Sequence, residues 1–134
     1  GRGARAGMAG VILDLPLQGA RVRLEDAGDG SLRIVRLSDG LAAGHVRLED
    51  RGRELFVDAL CIDTAARGYG LGSETARLVR EAAERGPWDA LTAWAPPHLG
   101  LSVYFWCRMG LRPLHGEGPG GGIAFRRDLR ATHP

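Results

Sequence analysis

The chain has 134 residues, 44% hydrophobic and 25% charged, with a formal net charge of +2. This is one domain's worth of globular sequence, able to bury a core without disulfide or metal staples, and it excludes global disorder. Acids are interleaved with bases along the chain, which argues against a nucleic-acid-binding stripe or tail.

All 18 basic residues are arginine, and neither Lys nor Asn occurs. A lysine Schiff base is therefore excluded, and tight hairpins must use Asp-Gly, which Asp29-Gly30 and Asp39-Gly40 supply. The two cysteines, Cys61 and Cys107, are far apart and form no CxxC. Lone thiols of this kind suit a reducing compartment, so a cytoplasmic location is expected. His45, His98, His115 and His133 show no zinc-ligand spacing, and no metal site is expected. No apolar run approaches the roughly 20 residues of a membrane helix. Gly1–Gly10 carries arginines without an apolar h-region. Residues 1–9, which include Met8 as a candidate natural start, are expected to be a flexible leader, and 10–134 a single domain.

In chain order, the first half reads as strands. Ala20–Glu25, Leu32–Leu37 and Ala42–Glu49 alternate apolar and polar residues, predicting a meander with one apolar and one wet face. Glu54–Ile62 is apolar on both faces, as a central strand would be, and Asp58 lies inside that run, where a carboxylate must be paired or sit at a cleft. The period then changes. Leu71, Thr75, Leu78 and Ala82 share a stripe, and Arg77–Glu81 and Arg80–Glu84 are i,i+4 pairs, predicting a helix from about Tyr69 to Arg85 that ends at Gly86-Pro87. Ala90–Ala95 returns to strand, and Pro96-Pro97 breaks it. Leu99–Met109 reads as a short helix capped by Gly110. Leu111–Leu114 and Ile123–Leu129 read as two last strands joined by Gly116–Gly122. The expected class is α+β, one mixed sheet in the order β-β-β-β-α-β-α-β-β.

The chemistry-bearing stretch is Arg67-Gly68-Tyr69-Gly70-Leu71-Gly72, followed by Ser73, between the most apolar strand and the best helix. Three glycines let a ligand approach the backbone. The first N–H groups of a helix have no internal partner, and the helix dipole adds partial positive charge. Together they form a phosphate or pyrophosphate cradle. Arg67 can add a charged hydrogen bond or fix the loop. A Rossmann GxGxxG is absent, a P-loop needs a Lys, and Ser73 does not lie in a GxSxG elbow. Cys107 beside Trp106 reads as a buried small hydrophobe. The cluster Trp88, Trp94, Tyr104, Phe105 and Trp106 reads as core.

Arg67, Gly70 and Gly72 fit Arg/Gln-x-x-Gly-x-Gly/Ala after a central strand, and Gly68 fits its usual Arg-Gly-x-Gly form. This resembles motif A of the GNAT superfamily of acyl-CoA-dependent N-acetyltransferases. Met109-Gly110-Leu111 looks like the end of its motif B helix, so the resemblance runs from Glu54 to the C-terminus. It implies acetyl-CoA as cosubstrate and no metal. The implied cofactor contacts are Leu60, Cys61 and Ile62 for the pantetheine arm, Arg67, Gly68, Tyr69, Gly70, Leu71, Gly72 and Ser73 for the pyrophosphate, and Trp106 at the thioester. Trp106 stands where the family usually has a tyrosine acid, and an indole cannot give up its proton near neutrality. The family's usual Asn near the start of that helix is replaced by His98 or Leu99. Its usual helices between the first two strands are reduced or absent, because Gly10–Glu49 has no long amphipathic stretch. This implies an open acceptor side, or one completed by a second subunit in a homodimer.

The implied function is transfer of an acetyl group to a primary amine, either a small molecule or a peptide, with no nucleic acid or membrane partner. The amine must lose a proton before it attacks, which calls for a carboxylate or histidine. Asp58 is the first candidate base and Glu54 the second. Even spacing puts both on the face of Ile62. Backbone N–H groups of Leu60–Ile62 would polarise the thioester carbonyl. The competing reading is a non-catalytic acyl-CoA-binding or regulatory module.

Overall fold

A computed structural model describes residues 13–95, 105–114 and 121–130. The expected leader 1–9, the start of the expected second helix with His98 and Tyr104, His115, the glycine-rich 116–120 and His133 lie outside these residues.

The strands are β1 (Leu17–Gln18), β2 (Val22–Asp26), β3 (Ser31–Arg36), β4 (Ala42–Asp50), β5 (Glu54–Ile62), β6 (Ala90–Ala95), β7 (Arg112–Pro113) and β8 (Ile123–Asp128). A 3-10 turn, Thr64–Ala66, and α1 (Leu71–Arg85) lie between β5 and β6. Residues 105–108 are helical. One sheet carries all eight strands in the order β1-β2-β3-β4-β5-β6-β8-β7. Among the described residues β5–β6 is the one parallel pair, and α1 is the crossover such a pair requires. The mixed α+β sheet expected from the sequence is thus present, with β1 as an extra strand. Its two residues beside Pro16 carry no readable alternation.

Both Asp-Gly turns form. Gly30 and Gly40 take positive φ of 90° and 73°. The preceding aspartates accept main-chain N–H bonds, Ser31 to Asp29 at 3.0 Å and Leu41 to Asp39 at 3.1 Å. Arg36 adds a fork onto Asp39, with Nη2 to Oδ2 at 2.7 Å. The β2–β3 connection is therefore a tight turn, and among the described residues no α-helix precedes α1.

Alternation sends Val22, Leu24, Leu32, Ile34, Val46 and Leu48 to one side, where they meet Leu78, Val79 and Ala82 of α1 and Trp106. The face carrying Arg23, Glu25, His45, Arg47 and Glu49 is half-buried to exposed. Two bulges interrupt the pleat. Ile34 and Val35 face Gly44 and Ala42, leaving Ala43 as the extra residue of β4. Arg47 and Leu48 face Ala59 and Val57, leaving Asp58 as the extra residue of β5.

The bulge at Asp58 corrects the even-spacing expectation. Leu55 and Val57 face the core before it, and Leu60 and Ile62 pack on the core after it. One extra residue shifts the parity, so Glu54 and Ile62 lie on opposite faces. On the helix, Arg77 pairs with Glu81 at 3.3 Å as expected. Arg80 instead donates from Nη1 to the carbonyl of Met109 at 3.4 Å, because residues 105–109 pack beside α1.

Candidate functional site

The site begins where β5 and β6 part. Their pairing runs from Glu54–Ala90 to Val57–Ala93 and stops there, while β6 stays paired with β8 through Ala95. The Asp58 bulge sits at the branch point. Trp94 Nε1 reaches across it to donate to the Asp58 carbonyl at 3.1 Å. Beyond that bond the last turn of β5 has β4 on one side and an opening on the other.

The ladder decides which groups face the opening. Asp63 N–H donates to Ala43 O at 2.8 Å, and Cys61 is opposite His45. Peptide groups alternate along a strand, so Cys61 and Asp63 turn theirs to β4 while Leu60 and Ile62 turn theirs away from it. The Ile62 carbonyl is held by Arg67, whose Nε donates to it at 2.9 Å. Arg67 thereby ties the loop back onto β5. Gly44 is needed opposite, since a Cβ there would collide with the Cys61 carbonyl.

The loop then turns into α1 through Gly68 and Gly70, at φ of 90° and 78°, a region L side chains avoid. A Cβ on either would meet nothing within 4 Å, so the backbone there faces open space. Gly70 is the N-cap, and no side chain caps the helix. Glu74 N–H makes the first helical bond, to Gly70 O at 3.1 Å, which leaves the N–H groups of Leu71, Gly72 and Ser73 without helical partners. Gly72 serves differently. A Cβ on it would lie 3.4 Å from Ile62, 3.7 Å from Phe105 and 3.9 Å from Leu60, so this glycine lets α1 approach the end of β5.

Phe105, which the sequence reading passed over as core, is thus the aromatic side chain beside Leu60, Ile62 and Gly72. Trp106 is 5% exposed within the core and stacks edge-on to Phe105, with centroids 4.9 Å apart. Cys107 is exposed rather than buried, because it lies on the outer side of this helical turn. Cys61 is exposed too, facing away from α1.

Asp58 is 47% exposed, with Arg47 Nε 4.0 Å from its carboxylate. Glu54 lies six residues upstream of Leu60, about 20 Å away at ~3.3 Å per residue. Its carboxylate accepts from Thr92 Oγ1 at 2.7 Å. The structure does not bring the two carboxylates together.

A further carboxylate was missed. Glu74, in the first turn of α1, is 5% exposed and accepts the main-chain N–H bonds of Arg21 and Val22 at 2.6 and 2.8 Å. Gly19 makes room for it, since a Cβ there would lie 2.5 Å from its oxygen. Its place on the helix stripe beside Leu71, Thr75 and Leu78 was the available signal. Among the described residues no group of His, Cys, Asp and Glu could hold a metal ion, and no helix is long and apolar enough to cross a membrane.

The fold is that of solved GNAT-type acetyltransferases. A putative GNAT-family acetyltransferase from Bordetella pertussis superposes with a TM-score of 0.66 at 14% identity, over 84% of this chain and 99% of that one. An acetyltransferase from Thermus thermophilus gives 0.63 at 15% identity, over 81% of this chain and 65% of its own. A putative acetyltransferase from Salmonella typhimurium, solved with its cofactor acetyl-CoA, gives 0.60 at 15%, over 78% and 66%. The chain thus spans just under two thirds of the last two structures. No family model matches the sequence, and no curated protein is significantly similar to it.

Proposed function

We propose that this protein is an acetyl-CoA-dependent N-acetyltransferase acting on a primary amine. The observation that carries the reading is the juxtaposition of the unpaired edge of β5 at Leu60 and Ile62 with the uncapped first turn of α1. A pyrophosphate fits the second, with N–H groups of Leu71, Gly72 and Ser73 as donors and no Cβ at Gly68 or Gly70 in its way. An extended amide-bearing arm fits the first, by strand-like pairing with β5. Acetyl-CoA supplies an activated acyl group as a thioester.

The chain's own residues do the rest. The N–H groups of Leu60 and Ile62 face the opening, where one of them is placed to bind the oxygen that gains charge during attack. Phe105, Leu60 and Ile62 exclude water from one side. Asp58, at the mouth of the opening, accepts the proton of the amine directly or through a water. Glu54 has a structural role through Thr92. Trp106 supports Phe105 from the core and transfers no proton.

The burial of Trp106, where the resemblance expects a phenolic acid, favours a second reading as an acyl-CoA-binding module without turnover. Calorimetric titration with CoA tests what the two share. Thiol release from acetyl-CoA with a panel of amines and peptides separates them. A folded protein with no CoA affinity overturns both.

A further inference from the structure

On the face of the sheet turned away from α1, three neighbouring strands each place one side chain where the β5–β6 opening starts. Arg47 of β4 lies opposite the bulge that carries Asp58 of β5. Trp94 of β6 alternates with the core residues Ala93 and Ala95, which turns its ring to this outer face. Its indole donates to the Asp58 carbonyl at 3.1 Å, and Gly122 leaves room for the ring, since a Cβ there would lie 2.8 Å from it. The bulge is thus held from β6 as well as from β4.

Most charges on this face are engaged nearby. Arg23 donates to Glu25 at 2.6 Å, Arg126 to Asp128 at 2.9 Å and Arg51 to Glu49, while Glu54 accepts from Thr92 at 2.7 Å. Arg47 and Asp58 differ. Nε of the one and Oδ2 of the other are 4.0 Å apart, too far for a hydrogen bond, and the side chains are 53% and 47% exposed. Among the described residues neither side chain has a hydrogen-bond partner. A guanidinium and a carboxylate therefore stand side by side at the mouth of the opening, each with its hydrogen-bonding groups turned to solvent.

We propose that the acceptor is a free α-amino acid, with Asp58 receiving its ammonium and Arg47 its carboxylate beside the Trp94 ring. The inference rests on the transfer reaction proposed above and adds the class of acceptor. An α-amino acid carries both charges on one carbon, so a neighbouring carboxylate and guanidinium can each take one. The planar guanidinium fork suits a carboxylate. A simple amine or a peptide N-terminus would leave Arg47 without a partner. The ammonium gives one proton to Asp58, and its nitrogen bonds to the acetyl carbon as the carbon–sulfur bond breaks. A second amine proton ends on the departing thiolate, and Asp58 returns the first to water.

The test measures thiol release from acetyl-CoA with phenylalanine, leucine and alanine, each beside its carboxamide, for the wild type and Arg47→Ala. The carboxamide replaces only the carboxylate and mimics a peptide N-terminus. Its amine deprotonates more readily, so a preference for the acid is not an effect of basicity. The wild-type kcat/KM is expected to favour the acid by about tenfold or more in at least one pair, as a charge-assisted contact provides. Arg47→Ala is expected to bring that ratio to about one, and Arg47→Lys to leave it intermediate. Taking the ratio cancels any effect of the substitution on Asp58 that the two acceptors share. Circular dichroism checks folding, and Arg47→Lys carries the comparison if Arg47→Ala does not fold. Equal kcat/KM for acid and carboxamide in every pair, a preference for the carboxamides, or an acid preference undiminished in the folded variant overturns this inference alone. Absence of thiol release with every acceptor, simple amines included, overturns the reading of the protein as an N-acetyltransferase as well.

Discussion

Trp94 Nε1 donates to the main-chain carbonyl of Asp58 at 3.1 Å, across the point where β5 and β6 stop pairing. A bulge leaves that carbonyl outside the ladder, and the indole takes it up from the neighbouring strand. The bond therefore sets where the opening starts. Trp94→Phe keeps a ring and removes the donor. It is expected to lower stability by about 1 kcal/mol, the usual net value of one such bond. It should also weaken CoA binding while leaving ADP binding unchanged, because ADP has no arm to enter the opening. Urea unfolding and calorimetry measure the two effects.

Glu74 carries a larger share of stability. Its carboxylate accepts two main-chain N–H groups at the start of β2, and removing it leaves both without a partner. Glu74→Ala is expected to cost about 2–3 kcal/mol, at roughly 1–3 kcal/mol per unsatisfied buried donor. Glu74→Gln, which keeps one carbonyl acceptor, should cost less than half of that. Equal urea midpoints for Glu74→Ala and wild type would show that water replaces the carboxylate.

The first turn of α1 can be tested with a substitution that favours the helix. Ser73→Glu adds a negative charge at a helix N-terminus, which is expected to leave stability unchanged or raise it by about 0.5 kcal/mol. The same charge should repel a pyrophosphate and lower CoA affinity at least about tenfold, a penalty of about 1.4 kcal/mol. Opposite signs for stability and binding separate a ligand effect from a folding defect. Gly72→Glu would not, since its side chain would enter the contact with Leu60, Ile62 and Phe105.

The β3–β4 turn predicts a pH effect. The hydrogen bonds from Arg36, then that from Leu41 N–H, hold the Asp39 carboxyl below the usual aspartate range. A group whose pKa is lower folded than unfolded stabilises the fold above the unfolded value, and that contribution disappears as pH falls through the folded value. Asp39→Asn should therefore be less stable than wild type near neutrality, and the difference should vanish in acid. The pair is exposed, so the effect is small and needs urea midpoints measured across the acid range. A constant difference at all pH values would assign it to turn geometry.

Much of this was legible in the sequence, and the gaps have physical causes. Ala90–Ala95 and Glu54–Ile62 have the expected bounds because their apolar runs end at turn residues. The glycine turn was legible because Gly68 and Gly70 meet a conformational demand that few other residues can. The bulge at Asp58 was not, since an extra residue leaves no mark on an apolar run while inverting every face assignment beyond it. Glu74 was missed because a carboxylate in a first helical turn usually faces water. Phe105 and Trp106 are adjacent aromatics, and only packing decides which faces the opening. The motif count selected Trp106, and the structure puts Phe105 beside Gly72.

Position along β5 separates the two candidate bases. Asp58 stands at the opening with Arg47 at 4.0 Å, whereas Glu54 is bonded to Thr92 at the far end of β5. If Asp58 takes the amine proton, Asp58→Asn should lower kcat near neutrality with little change in CoA affinity. The deficit should shrink as pH approaches the pKa of the amine, about 10 for a lysine-like acceptor, because a growing fraction then arrives deprotonated. Glu54→Gln should weaken the Thr92 bond and reduce stability by about 1 kcal/mol, with the pH profile of turnover unchanged. A flat ratio of Asp58→Asn to wild-type rate across that range would mean that Asp58 positions Arg47 or the bulge instead. A pH-dependent deficit in Glu54→Gln would move proton acceptance to the other end of the strand, where neither the opening nor the glycine turn could take part.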